Sequence, residues 1–158
     1  MSEDKKTIIV FSGDLDKAMA AMIIARGAAA MGNEVTLFFT FWGLNLLRKP
    51  EPVSVKKNIL EAMFGWMMPR GPRKAKLSQL NMGGLGTAMM QYVMKTKNVP
   101  TLAEMIAEAQ QFGVTFIACT MSMDVMGIHK EELIDGIELG GVATYLGAAD
   151  DANVNLFI

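Results

Sequence analysis

Apolar positions along this chain fall into two rhythms: short continuous runs, and longer stretches spaced for helices. Thr7-Ile8-Ile9-Val10-Phe11 is a run that suits a strand buried on both faces. Ser12-Gly13-Asp14-Leu15-Asp16 supplies turn residues and an amino-cap. Asp16 to Met31 is Ala- and Met-rich, with Gly32-Asn33 as its stop, and predicts a helix. Glu34 to Phe39 predicts a second buried strand, so the opening reads as one βαβ unit with a right-handed crossover. Order returns at Thr101 to Phe112, where Thr101 and Glu104 form a capping box and Gly113 ends the helix. Val114 to Cys119 follows as a strand, with a small polar residue at once behind it where a helix can begin. Ile128 to Ile134 reads as a short helix or turn, Val142 to Ala149 as a helix after Gly140-Gly141, and Val154 to Ile158 as a last strand. The alternation predicts a three-layer α/β sandwich with a mostly parallel sheet of about five strands.

Between about residues 50 and 97 this rhythm is interrupted. Asn58 to Met68 and Leu85 to Met94 predict two short helices, divided by Pro69-Arg70-Gly71-Pro72-Arg73-Lys74 and a turn at Gly83-Gly84. Met63 and Met67 share a face of the first, and Met89, Met90 and Met94 are expected in an exposed row on the second. Flexible thioethers suit adaptable contacts, so this insertion reads as an oligomer interface or a mobile lid. Arg and Lys flank the Met-rich runs without a sustained amphipathic period, which argues against membrane association.

Composition narrows the class. The length, 158 residues, suits a single domain spanning 1–158. Although 51% of the chain is hydrophobic, no apolar run approaches the roughly 20 residues of a spanning helix. Met1 to Lys6 leads straight into a strand without a signal-peptide pattern, so a cytoplasmic location is expected. Trp42, Leu44, Leu46, Leu47, Met63, Phe64, Trp66, Met67, Met68, Met89, Met90 and Met94 exceed what one small core absorbs, which predicts a homo-oligomer. Charge is uneven: Arg48 to Lys97 carries ten Lys or Arg against two Glu, and the residues from Asn98 onward carry nine acids against Lys130. The basic middle can meet the acidic third of its own chain or of a neighbour. No nucleic-acid motif accompanies it, so no nucleic-acid partner is expected.

Cys119 is the only cysteine, which excludes an internal disulfide, a CxxC pair and any multi-cysteine metal site. No metal and no cofactor are called for. A thiol at the carboxyl end of a strand faces the ligand crevice of open α/β sheets, and free N–H groups of a following helix favour an anionic sulfur there. Against this, free cysteine is commonly a buried small hydrophobe. Thr120 and Ser122 can hydrogen-bond the sulfur or cap the helix. Thr40 to Leu47, with Trp42, leaves the second strand at the same edge and is a candidate pocket wall. The Gly13-Asp14 turn resembles a phosphate-binding turn only loosely, since it lacks GxGxxG and its acid disfavours phosphate; capping by Asp14 is expected. Gly13, Asp14, Thr40, Trp42, Thr120 and Ser122 are the candidate substrate contacts. Asp124 is read as a cap or turn support, and His129 and Lys17 as surface groups within reach of the site.

Ser12-Gly13-Asp14-Leu15-Asp16-Lys17, Phe38-Phe39-Thr40-Phe41-Trp42-Gly43 and Ala118-Cys119-Thr120-Met121-Ser122-Met123-Asp124 together resemble the DsrE/DsrF-like family. The nearest branch is labelled accessory sulfurtransferase or predicted peroxiredoxin. The resemblance runs over nearly the whole chain. It implies a parallel-sheet fold, oligomerisation, and a single cysteine, here Cys119, that carries sulfane sulfur as a persulfide between a donor and an acceptor thiol. A thiol peroxidase is the competing enzyme, but Val114 to Ala118 has none of the Pro that its local pattern requires, and no Arg-rich loop of rhodanese type follows Cys119. The non-enzymatic alternative is an oligomeric scaffold or binding protein with an inert thiol.

Overall fold

The computed structural model describes residues 4–158. Five strands, β1 (Lys5–Val10), β2 (Glu34–Phe39), β3 (Thr115–Cys119), β4 (Ile137–Gly140) and β5 (Val154–Phe157), form one sheet in the order β4-β3-β2-β1-β5. Every pairing is parallel. Helices α1 (Leu15–Ala30) and α4 (Leu102–Gln111) pack on one face. The Ala-rich stripe of α1, Ala18, Ala21 and Ala25 with Met22, is buried and lets that helix lie close to the sheet. The capping box at Thr101 and Glu104 starts α4 as the sequence predicts.

Side chains alternate across the sheet. Leu37, Phe39, Phe116 and Ala118 enter the large core under α1 and α4, whereas Phe38, Ile117 and Cys119 face the other way. There the cover is thinner. Helix α6 (Val142–Asp150) lies over this face with one buried residue, Tyr145. Helix α5 (Thr120–Met126) follows β3 directly.

Strand β4 is absent from the sequence reading. Its four residues at a sheet edge leave Glu138 and Leu139 exposed, so it shows no apolar run, and Gly136 and Gly140 bound it too closely for a pattern to develop. The segment after β2 also differs from expectation. It coils as a 3-10 turn, Phe41–Leu47, in which Leu44, Leu46 and Leu47 are fully buried core and not surplus surface. This turn sits hard against the end of β1: a Cβ on Gly43 would lie 2.0 Å from the Val10 carbonyl, and Gly43 N–H donates to the Phe11 carbonyl at 2.9 Å. Phe41 takes φ +46°, a conformation that costs a bulky residue about 1–3 kcal/mol.

The insertion contains α2 (Ile59–Met67) and α3 (Leu85–Thr96). Asn58 and Glu61 form a capping box that starts α2. Apart from Gly65, α2 buries no residue, and Met63, Trp66 and Met67 are exposed. On α3, Met89 and Met90 are exposed as expected, but Met94 is buried. What ties α2 down is polar. Arg48 is fully buried and donates to the Gly65 carbonyl at 3.1 Å and the Pro69 carbonyl at 3.4 Å. Glu132, also buried, receives Lys57 Nζ at 2.8 Å and faces Arg48 at 3.7 Å. The basic middle of the chain therefore meets its own acidic third at this point.

Candidate functional site

Cys119 ends β3 opposite Gly140 of β4 and occupies the amino-cap position of α5, where its sulfur caps no backbone N–H. The apolar run that precedes it fixes its face: two residues back, Ile117 points the same way, and both lie beside Phe38 and Tyr145. Only 5% of Cys119 is exposed. Tyr145 packs against Phe38 with ring centroids 5.2 Å apart, and its hydroxyl lies 3.2 Å from Thr7 Oγ1. The thiol is thus a buried member of a small cluster on the sheet face over which α6 lies.

Tyr145 is the one buried residue by which α6 holds to this face, so its burial should resist any opening of α6 that exposes the cluster. Removing its ring reduces the apolar burial that resists lifting α6 by about 2 kcal/mol, which is roughly 30-fold in the rate of a reaction that requires opening. Tyr145→Ala is expected to speed alkylation of Cys119 by that order, while Tyr145→Phe, which keeps the ring, changes it little. Equal rates in all three proteins would show that the thiol is reached from another side.

The remaining candidates divide between two places. Thr40 Oγ1 and Ser122 Oγ are 2.7 Å apart, tying the end of β2 to the first turn of α5, with Ser122 wholly buried. Thr120 lines a shallow cavity of about 360 Å³ together with Asp124, His129 and Glu61. In it His129 Nε2 faces the Glu61 carboxylate at 3.8 Å, and the backbone N–H of His129 donates to Glu132. Gly13, Asp14, Lys17 and Trp42 line a different cavity, of about 820 Å³, under the insertion. Cys119 lines neither.

Gly13 is explained by packing: a Cβ there would lie 2.7 Å from the Trp42 carbonyl oxygen, so glycine lets the two loops close on each other. Asp14 holds the amino-cap position of α1, yet its side chain caps nothing and instead pairs with Lys17 Nζ at 3.4 Å. The expected cap is replaced by Leu15 N–H donating to the Lys76 carbonyl at 2.8 Å. Nearby, Asp16 accepts from the Ser78 backbone at 2.8 Å and hydroxyl at 2.6 Å. Partial burial alone would raise the Asp16 carboxyl, but the Ser78 hydroxyl and backbone N–H hold it below its ordinary value. Trp66, Arg70, Lys74 and Lys76, which complete the larger cavity, were not among the sequence candidates. Arg70, Lys74 and Lys76 were marked only by the basic run after α2, and Trp66 only as one of the surplus apolar residues.

Among the described residues no three His, Cys, Asp or Glu side chains gather to hold a metal ion, and no helix is long and apolar enough to cross a membrane.

A five-stranded parallel α/β sheet presenting one cysteine at a strand end defines a class of thiol-bearing α/β proteins. Within it, the chain belongs to the DsrE/DsrF/DrsH-like family, whose model matches residues 2–157. It is 56% identical over 160 residues to the uncharacterized protein YrkE of Bacillus subtilis, with both chains fully covered. It is 38% identical over 162 residues to the sulfur carrier protein DsrE2 of Allochromatium vinosum, again with both chains fully covered. Among solved structures, the YchN protein of E. coli superposes with TM-score 0.58 at 12% identity, covering 98% of this chain and 99% of that one. The MTH1491 protein of Methanobacterium thermoautotrophicum gives TM-score 0.58 at 11% identity, with the same coverage.

Proposed function

We propose that this protein carries sulfane sulfur as a persulfide on Cys119 and passes it to an acceptor thiol. The observation that carries this reading is the placement of the only cysteine at the end of β3, in a chain similar over its full length to a protein named as a sulfur carrier. The Cys119 thiolate, its proton lost to solvent, attacks the outer sulfur of a donor R–S–SH. The donor S–S bond breaks, R–S⁻ leaves, and Cys119–S–SH forms. An acceptor thiolate then attacks the same outer sulfur, and the Cys119 thiolate is regenerated. No second cysteine and no external oxidant are needed. The cytoplasm, which keeps a lone thiol reduced, suits this cycle. The burial of Cys119 shields the loaded sulfur from stray thiols, so each transfer requires the site to open locally.

Incubation with polysulfide followed by intact-mass and peptide mapping tests the reading. One added sulfur on Cys119 is the expected result. A protein whose Cys119 is alkylated in the native state yet never gains sulfur from polysulfide or from a persulfidated donor would leave the second reading, an oligomeric scaffold with an inert thiol, which the burial of Cys119 favours.

The carrier is further proposed to work as a homo-oligomer assembled through the exposed apolar surfaces of α2 and α3, including Ile59, Leu60, Met63, Met89 and Met90. So much exposed apolar surface is uncommon on monomers. Light scattering at micromolar concentration should give a multiple of 17.2 kDa, and Met63→Glu with Met90→Glu should return it to the single-chain mass. A wild-type mass equal to one chain would refute the assembly.

A further inference from the structure

The cavity of about 820 Å³ beneath the insertion has a lining that sulfur transfer at Cys119 does not use. Four cations reach it, Lys17, Arg70, Lys74 and Lys76, against one carboxylate, Asp14. Asp14 is already engaged by Lys17. None of the other three has a carboxylate partner among the described residues, and the contact of Arg70 is a 3.4 Å donation to the Glu51 carbonyl. Three uncompensated positive charges around one concave site concentrate anions there.

These charges are held in place. Gly71 N–H donates to the Asn45 carbonyl and Leu15 N–H to the Lys76 carbonyl, each at 2.8 Å. Ser78 is bound through its backbone and its hydroxyl to Asp16. The backbone of the basic segment is thus strapped to the start of α1 and to the 3-10 turn, which fixes where its cations leave the chain, while the exposed side chains of Lys74 and Lys76 stay free to turn toward a ligand. The rest of the lining is largely apolar and aromatic. Both tryptophans of the chain, Trp42 and Trp66, line this one cavity, and they remain 53% and 86% exposed. A planar or apolar body laid against indole faces recovers the burial they lack. The volume falls in the range of small-molecule sites, about 300–1,000 Å³.

We propose that this cavity is a binding site for a small organic polyanion with an aromatic body, its charged group at Arg70, Lys74 and Lys76 and its ring against Trp42 and Trp66. The acidic Gly13-Asp14 turn alone opposes such a ligand; the cations of the insertion reverse that balance. Binding is independent of Cys119, which lies outside the cavity.

Because both tryptophans sit at the site, intrinsic fluorescence reports occupancy directly. The probes are ADP, which carries polyanion and ring, pyrophosphate, which carries the charge alone, and adenosine, which carries the ring alone. ADP is expected to change the fluorescence saturably, with affinity at least about tenfold above either fragment and falling as salt is raised. Lys74→Glu combined with Lys76→Glu, both exposed positions, should weaken ADP by at least about tenfold. Cys119→Ser should bind ADP as the wild type does, whether or not the protein accepts sulfur, so failure of this site and failure of the carrier reading are separate results. No saturable change with ADP overturns the proposal. So does adenosine binding as well as ADP, pyrophosphate binding as well as ADP, or full ADP affinity in the double lysine variant.

Discussion

Cys119→Ser should abolish sulfur loading completely while leaving the fold nearly as stable as before. The two side chains differ by one atom of similar size, and near-isosteric core changes usually cost less than about 1.5 kcal/mol. The hydroxyl enters an apolar pocket formed by Phe38, Ile117 and Tyr145, which opposes the change. It also stands at the amino-cap of α5, where the cysteine makes no cap bond and serine is a preferred residue. A thermal shift of only a few degrees is therefore expected for a chain of this length. Mass spectrometry after polysulfide treatment measures the loading. Sulfur still bound to the serine variant would place the carrier chemistry elsewhere.

Glu132→Ala should be the most damaging single change outside the apolar core. Its carboxylate balances two cations: Arg48, fully buried, and Lys57, mostly so. Removing one partner of a buried ionic cluster costs about 3–5 kcal/mol, a large share of the roughly 5–15 kcal/mol that holds a domain together. Arg48 is already strained electrostatically: burial first, and the nearby Arg70 charge second, lower its pKa below the ordinary arginine value. With Glu132 gone, the anchor that binds the Gly65 and Pro69 carbonyls loses its counter-charge, and α2 should be released before the sheet unfolds.

Acid should act on the same cluster. Burial would by itself raise the Glu132 carboxyl, but the His129 backbone N–H, then Lys57, then Arg48 hold it below its ordinary value of 4.5. A carboxyl whose folded pKa is depressed stabilises the fold fully above its unfolded value and ceases to do so as pH falls through the folded one. Urea midpoints should therefore fall as pH drops below 4.5, and fall less steeply in Glu132→Gln. An alanine variant that loses under about 1 kcal/mol would mean that the cluster is close to neutral against an apolar replacement.

How much of this was legible in the sequence follows from which interactions are local. The runs of β1, β2 and β3 announce themselves because a strand buried on both faces must be apolar throughout, and α4 because its capping box joins Thr101 to Glu104 within one turn. Strand β4 is set by its neighbour β3, with half its side chains exposed, and carries no such mark. Leu44, Leu46 and Leu47 read as surplus because a 3-10 turn between two strand ends buries them without a helical or strand period. Arg48 and Glu132 lie far apart in the chain, and nothing near either tells that it will be buried. Cys119 was legible as the residue at a strand end. Its cover was not, since that depends on where α6 lands. Trp42 was read as a pocket wall beside Cys119, whereas it lines a cavity with the Gly13-Asp14 turn that Cys119 does not reach; that cavity is completed by residues from the insertion, whose docking rests on hydrogen bonds to backbone carbonyls that no residue pattern records.

The strand order has a consequence for synthesis. Strand β1, made first, lies between β2 and β5, and β5 is formed by residues 154–157. As the chain emerges from the ribosome, β1 can pair with β2 early, but its other edge stays open until almost all of the described chain has been made. Pairings this distant in sequence slow folding, and an unpaired apolar edge invites association with other chains. A nascent chain stopped before Val154 would hold its cysteine strand and α6 in full, with the Lys6 to Ile9 edge of β1 still unsatisfied. Truncated products of this protein should therefore aggregate even though they contain every residue of the thiol site.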